Sequence, residues 1–570
     1  MLLLSACVTF AGAAAAVAAD APLVTVPRVA QAPTIDGQVS AAEWEGAAVT
    51  GAFRDVMAGY PAAAPVRASL CYDAQALYAL FICEGEDPEK LLGGAAARDS
   101  AIWDDSEAEL FLAAEAWPAE RYAHFMVNHA GAFAEELCVS AVRDLAWNGE
   151  WQCAAGRLDG AWCAEMAIPW RTLDLSAPEP GTRLRANLAR NAAAVQELSA
   201  WAPVRGGFHD PERFGTLVLS DRAAVAVAAL PGRATGPAAI HARLIGTPQA
   251  TLRAELRRGT RGQTQTLPLQ ADQPGVLNLE LAGGTSELLV SVQEPQGRLL
   301  WHQSVRLDLP DLAAQVGRVR RALGRLQGSA LAPDLAALRS RLAALETQAR
   351  APLDTAGLVR VGEEITAVEA SIRDLRRLSG SARPGAALPA YYVAHPDTTE
   401  KIQPNAADPG PQAKTLRIAM ARGEYEPVQI VVCAVRRELR GVRVTAGELR
   451  GPDGARIPGE RVVVNPVGFV RCAKPGPGAS LAGLIPDVLL PDRALEVPAG
   501  QRQPFFITVQ TTAQDVPGEY HGHVRVTAEG EPATTLPLVV RVYPLTLPVK
   551  SHLRTAFVLW GSYRLKRAQK

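Results

Sequence analysis

The sequence predicts a mostly β protein, several β-sandwich domains in series interrupted by a short three-helix spacer. Three observations carry this. Apolar residues alternate with polar ones in short runs from about Pro33 to Leu309. Between Leu312 and Leu378 the spacing changes to steps of three and four. Alternation then returns from Ala390 to Pro548, with Pro- and Gly-rich turns between the runs. Period two marks strands with one buried face, and period 3.6 marks helices with one apolar stripe.

The chain has 570 residues, too many for one core, so ~3 to 5 domains are expected. Apolar residues make up 48% and charged residues 21%, the balance of a globular protein. With 58 Lys+Arg against 59 Asp+Glu, the net charge is −1. No overall field therefore draws the chain to nucleic acid or anionic lipid.

Residues 1–19 form an apolar, small-residue run ending in Ala16-Val17-Ala18, which reads as a cleaved secretory signal. No later stretch reaches the ~18 uninterrupted apolar residues of a membrane span. A secreted, periplasmic or cell-surface location is expected. Without Cys7, seven cysteines remain, an odd number with no CxxC pair or Cys/His zinc spacing. Cys153 and Cys163 flank a predicted turn at Asp159-Gly160 and are candidates for a bridge; buried free thiols are the alternative.

Residues 20–220 are expected to form the first sandwich, with a hairpin of Val66–Tyr72 and Leu77–Cys83 and further strands at Trp162–Ile168 and Leu184–Leu188. Residues 221–310 are expected to form a spacer sandwich, with strands at Leu277–Leu281 and Glu287–Val292. Residues 311–380 carry three apolar stripes: Val316, Val319, Leu323 and Leu326; Leu335, Leu338, Leu342 and Leu345; and Leu358 through Leu375. Pro333-Asp334 and Pro352-Leu353-Asp354 are helix-start signals. Residues 385–548 are expected to form a third sandwich, and residues 549–570 to open a truncated further domain.

The first sandwich holds the most specific motifs. They run in order through Pro33-Thr34-Ile35-Asp36-Gly37, Glu43-Trp44, Trp103-Asp104-Asp105-Ser106 and Glu109-Leu110-Phe111. Trp162 to Trp170, Asn187-Leu188-Ala189-Arg190, Phe208-His209-Asp210-Pro211 and Phe214-Gly215 complete the series. This series resembles the family 9 carbohydrate-binding modules. The resemblance implies oligosaccharide or polysaccharide as partner, with Trp103 and Phe208 as two stacking rings. It also places Glu109 six residues after Trp103 as hydroxyl acceptor, with Asn128 and His209 as further polar contacts. Pyranose C–H faces stack on rings while hydroxyls need acceptors and donors, which is the chemistry these residue types supply. Glu109 as a salt-bridge residue and Phe208 as a core cap are the architectural alternatives. The sequence departs from the family in having Phe rather than Trp at 208, and Met126 where an Arg contacts sugar. Trp44, Trp162 and Trp170 are assigned to the core. Asp104 and Asp105 offer oxygen ligands for calcium, as in some relatives.

The third sandwich carries Ala421-Arg422-Gly423-Glu424-Tyr425-Glu426-Pro427, Val497-Pro498-Ala499-Gly500-Gln501 and Val516-Pro517-Gly518-Glu519-Tyr520. These resemble the sandwich that precedes the catalytic barrel in glycoside hydrolase family 123-like proteins. Such a barrel needs ~250 residues, and HExxH, GxSxG, Walker and GxGxxG motifs are absent from the sequence. The expectation is the non-catalytic front of a secreted glycoside hydrolase. Two other readings stand beside it: an envelope adhesion or scaffold protein, and a periplasmic haem-binding redox domain with Met126 and His129 or His209 as axial ligands.

Overall fold

In the computed structural model, residues 21–548 are described except 95–97, 141, 382–387 and 473–482. The expected signal segment 1–19 and the run 549–570 lie outside the described residues. The chain is mostly β, as its periodicity predicts. It divides into two compact units, residues up to 313 with 349–360, and residues 314–348 with 361–570.

The first unit is built on two sheets. One has 13 strands. It runs from Arg261–Gln270 through Gln249–Arg258, Gly284–Gln293 and Leu299–Leu309 to Leu23–Pro27. It continues through Gly215–Ser220, Arg183–Ala192, Glu107–Ala114, Arg121–Asn128 and Phe133–Val139 to Val142–Asp144. The other has eight strands, from Gln152–Leu158 to Pro274–Leu281. The expected hairpin forms with strands Val66–Tyr72 and Ala76–Glu84, and its turn is held by Asp73 Oδ1, which accepts from the Gln75 and Ala76 amides at 2.7 and 2.9 Å.

Both sheets run without a break from the first expected sandwich into the second. Leu23–Pro27 pairs in parallel with Gly215–Ser220 on one side and antiparallel with Leu299–Leu309 on the other. In the second sheet, Ala226 pairs with Val49. Side chains complete this seam. Trp301 is fully buried and donates its indole N–H to the Val49 carbonyl at 3.2 Å. Gln303 Nε2 donates to the Ala52 carbonyl at 2.6 Å. Gly51 is required between them, because a Cβ there would lie 1.8 Å from Gln303 Oε1 and 2.7 Å from Trp301 Cζ2.

Alternation decides what each strand buries. Arg190 points inward between Ala189 and Asn191, and at 0% exposure it is a buried cation. Its guanidinium donates to the Pro65 and Glu84 carbonyls and to Glu86 Oε2, at 2.7–2.8 Å. Glu86 in turn accepts from Ser106 Oγ and the Ala194 amide. A buried charge persists only when it is paired and hydrogen-bonded in this way. Trp44, Trp162 and Trp170 are buried, as expected. Cys153 lies opposite Met166 and Cys163 opposite Gly156 in the hairpin, so the two thiols sit in different rungs and form no bridge.

The three stripes fall on helices Leu312–Gly324, Ala332–Arg350 and Thr355–Ser381, except Leu326, which follows the first helix, and every stripe residue is buried. The Pro352-Leu353-Asp354 start signal acts through Asp354 Oδ1, which accepts the Gly357 amide at 2.7 Å. The second unit also holds a five-stranded and a seven-stranded sheet. Alternate residues of their strands, among them Ile430, Val432, Phe505, Ile507, Val524, Leu538 and Val540, form one apolar core.

Candidate functional site

The expected sugar-binding residues lie on or beside one face of the strands Arg183–Ala192, Glu107–Ala114, Arg121–Asn128 and Phe133–Val139. Register fixes the neighbours: Glu107 opposes Asn128 and Asn191, Glu109 opposes Met126 and Ala189, and Phe111 opposes His124 and Asn187. His124 in turn opposes Glu136 on the next strand. The alternate residues Ala108, Leu110 and Leu112 point to the other face.

Trp103 stands in the loop before Glu107–Ala114 and is 47% exposed. Its backbone is fixed by Asn191 Nδ2, which donates to the Trp103 carbonyl at 3.0 Å, and by the flanking turn, in which the Asp105 amide donates to the Ile102 carbonyl at 2.8 Å. A large ring is thus offered to solvent from an ordered backbone.

Phe208 is placed differently. It is 8% exposed and packs edge-on to Phe111, with ring centroids 6.3 Å apart. Trp103 precedes Glu107 and has its carbonyl held by Asn191, the residue opposite Glu107, whereas Phe208 packs on Phe111, four residues further along the strand. Of the two expected rings, Trp103 alone is exposed. Phe208 caps the core instead, because the loop 201–214 folds back over the sheet and buries Trp201, Phe208 and Phe214.

Glu109 is also buried, at 4% exposure, and accepts from His124 Nε2 at 2.7 Å. His124 Nδ1 donates to Glu136 Oε1 at 2.8 Å, so one imidazole bridges two carboxylates. Burial alone would lower the His124 pKa, but the hydrogen bonds from Glu109 and Glu136 outweigh it and raise the value. Glu136 is held down at about 2: burial opposes this, and His124 together with Arg143, whose Nε lies 2.8 and 3.0 Å from its oxygens, overcomes it. The ring of Phe111 stacks on His124 at 3.9 Å. Glu107 is pushed well above the carboxylate range by burial and then by the Glu109 charge, and its Oε2 has no hydrogen-bond partner among the described residues.

Asn128 is fully buried and serves the loop. Its Nδ2 donates to the Gly94 carbonyl and to Asp105 Oδ2, and its Oδ1 accepts the Ala130 and Ala132 amides, all at 2.9–3.0 Å. His209 faces the tail of the network: Nδ1 meets the Tyr122 hydroxyl at 2.9 Å, and Nε2 lies 3.8 Å from Glu136 Oε1. Burial first, then the nearby His124 and Arg143 charges, lower its pKa to about 4, so it is neutral at physiological pH. Residues 202–206 of the same loop also line a cavity of about 650 Å³ with Arg54, Asp55, Arg213 and Arg306.

Asp105 is engaged by Asn128, and the group of three metal-capable side chains among the described residues is His124, Glu136 and His209, not one containing Asp104 or Asp105. For haem, Met126 is buried in a small apolar cluster with Ile102, Ala132 and Ala134. His129 Nε2 is spent on the Gly93 carbonyl at 3.2 Å.

Glu107, His124 and Glu136 were not among the expected site residues. Their signal was the alternation Glu107-x-Glu109-x-Phe111, which puts two acids on the face of a ring, and the spacing of His124 and Glu136 about a tight turn.

A comparison with curated proteins finds no match. Among solved structures, a putative carbohydrate-binding protein from Bacteroides uniformis is 17% identical, with 35% of this chain and 100% of that one covered and a TM-score of 0.30. A family 9 carbohydrate-binding module from Caldicellulosiruptor kristjanssonii, solved with cellotriose, is 18% identical over 35% and 94% of the two chains, with a TM-score of 0.27. A family 123 glycoside hydrolase from Clostridium perfringens is 17% identical with a TM-score of 0.25, and the match spans 28% of each chain. The family described as carbohydrate family 9 binding domain-like matches residues 35–222, the segment that carries the ordered motifs and the face built around Glu109, and this segment is a domain of that kind.

Proposed function

We propose that the first domain binds an oligosaccharide or polysaccharide at Trp103, and that the chain serves as the non-catalytic part of an exported glycoside hydrolase. The observation that carries the binding reading is the exposed indole on a pinned loop within the family-matched segment. An exposed Trp presents its apolar face to sugar C–H groups, and the neighbouring loops supply backbone donors and acceptors for hydroxyls. The link to hydrolysis rests on the motifs between Ala421 and Tyr520, which resemble the sandwich preceding a family 123-like barrel.

Calorimetric titration against a panel of oligosaccharides tests the binding reading. Trp103→Ala should weaken binding at least several-fold, since one stacked ring contributes on the order of 1 kcal/mol. Its thermal melt should match that of the wild type because the ring is not in the core. Unchanged affinity in Trp103→Ala would place the sugar elsewhere.

A further inference from the structure

The geometry points to a binding site for a zinc-class divalent cation formed by His124 Nδ1, His209 Nε2 and a Glu136 oxygen. These three side chains come from two neighbouring strands and the loop 201–214, and their ligand atoms all lie within 4.8 Å of one another. Imidazole nitrogens and a carboxylate suit Zn²⁺ and its late first-row neighbours, and three protein ligands leave one position for water.

The contacts around His209 turn its second nitrogen toward Glu136. Glu136 Oε1 accepts from the Cys138 thiol at 3.7 Å. The Tyr122 hydroxyl meets His209 Nδ1 at 2.9 Å. With Nδ1 engaged by Tyr122, His209 Nε2 faces Glu136 Oε1 at 3.8 Å, beyond hydrogen-bond reach. The gap is within the span of two metal–ligand bonds of ~2.0 to 2.2 Å each.

The surroundings match the requirements of such a site. His124 Nε2–H already donates to Glu109 Oε2 at 2.7 Å, the carboxylate–histidine arrangement that orients a metal-bound imidazole. Tyr122 does the same for His209. Charge is conserved as well. The ion replaces the His124 Nδ1 proton and the Arg143 guanidinium, which is 45% exposed and would exchange its bonds to Glu136 for water. Two positive charges leave and two arrive, so Glu109 and Glu136 remain balanced. Bound there, the ion ties the loop 201–214 to the sheet.

The test uses the full chain, stripped with chelator, incubated with Zn²⁺ and desalted. The wild type should retain one Zn²⁺ per chain, and its melting temperature should rise with Zn²⁺ but not with Ca²⁺ or Mg²⁺. His209→Ala, at a half-exposed loop position, should melt as the metal-free wild type does and lose both the retained ion and the shift. Glu109→Gln should weaken Zn²⁺ binding about ten- to a hundredfold, the usual effect of a lost orienting carboxylate. With Co²⁺, the wild type should show intense visible absorption of a four-coordinate site, absent from His209→Ala. A wild type that retains no stoichiometric metal overturns the proposal, and so does a His209→Ala protein that retains it. Neither result bears on sugar binding at Trp103.

Discussion

Trp301→Ala tests whether the first two expected sandwiches are one structural body. The ring is fully buried, and its N–H is bonded to the Val49 carbonyl at the point where Leu299–Leu309 meets Leu23–Pro27. Truncating a buried Trp to Ala costs about 3 to 5 kcal/mol through lost transfer energy and the cavity left behind. The Val49 carbonyl also loses its indole donor, which adds about 1 kcal/mol or more. A total of about 4 to 6 kcal/mol is a large share of the ~5 to 15 kcal/mol available to a folded domain. Urea unfolding of residues 21–313 followed by circular dichroism should show a markedly lower midpoint for the variant. The fragment 21–222, which lacks the Leu299–Leu309 strand, should likewise be less stable than 21–313. A Trp301→Ala midpoint within error of the wild type would mean that the seam is incidental and that the two sandwiches fold independently.

Three further outcomes follow from the packing. Trp162→Ala should destabilise the first unit by about 3 to 5 kcal/mol, in contrast to Trp103→Ala, as thermal melts of the pair will show. Arg190→Met should cost about 3 to 5 kcal/mol by leaving the Glu86 carboxylate buried without its cation, and adding Glu86→Gln should recover part of that loss. In the second unit, burial pushes the Asp515 carboxyl up, but its paired contacts with Arg461 at 2.6 and 2.9 Å outweigh this and hold the pKa below the ordinary 3.8. A depressed folded pKa means that the stabilisation is present above 3.8 and lost as pH falls through the folded value. Asp515→Asn should therefore be less stable than wild type at pH 7, and the difference should shrink below about pH 4 in a denaturation series.

Much of the strand and helix pattern is legible in the sequence because it is local. Leu335, Leu338, Leu342 and Leu345 can be placed on one buried stripe from spacing alone. The seam is not legible in this way. Nothing in residues 299–309 indicates that they complete a sheet begun at Leu23, because that pairing joins segments more than 270 positions apart. The site divides similarly. Trp103 emerges exposed, as its motif implied, whereas Phe208 is buried by the path of a long loop, which no periodicity specifies. The His124–Glu136 pair was within reach. A turn between Val127 and Phe133 sets the register of its hairpin, and counting back three residues on each side brings the two together.

The cysteines carry a consequence of a different kind. Cys71, Cys83, Cys138, Cys163 and Cys433 are buried and form no disulfides. Burial raises the thiol pKa to about 12 at Cys83 in the first unit and at Cys433 in the second, so neither reacts while its strand stays in place. They are built-in clocks for opening. A thiol reagent reaches each only when the surrounding structure parts, and peptide mapping of the labelled sites would time the two units separately within one intact chain.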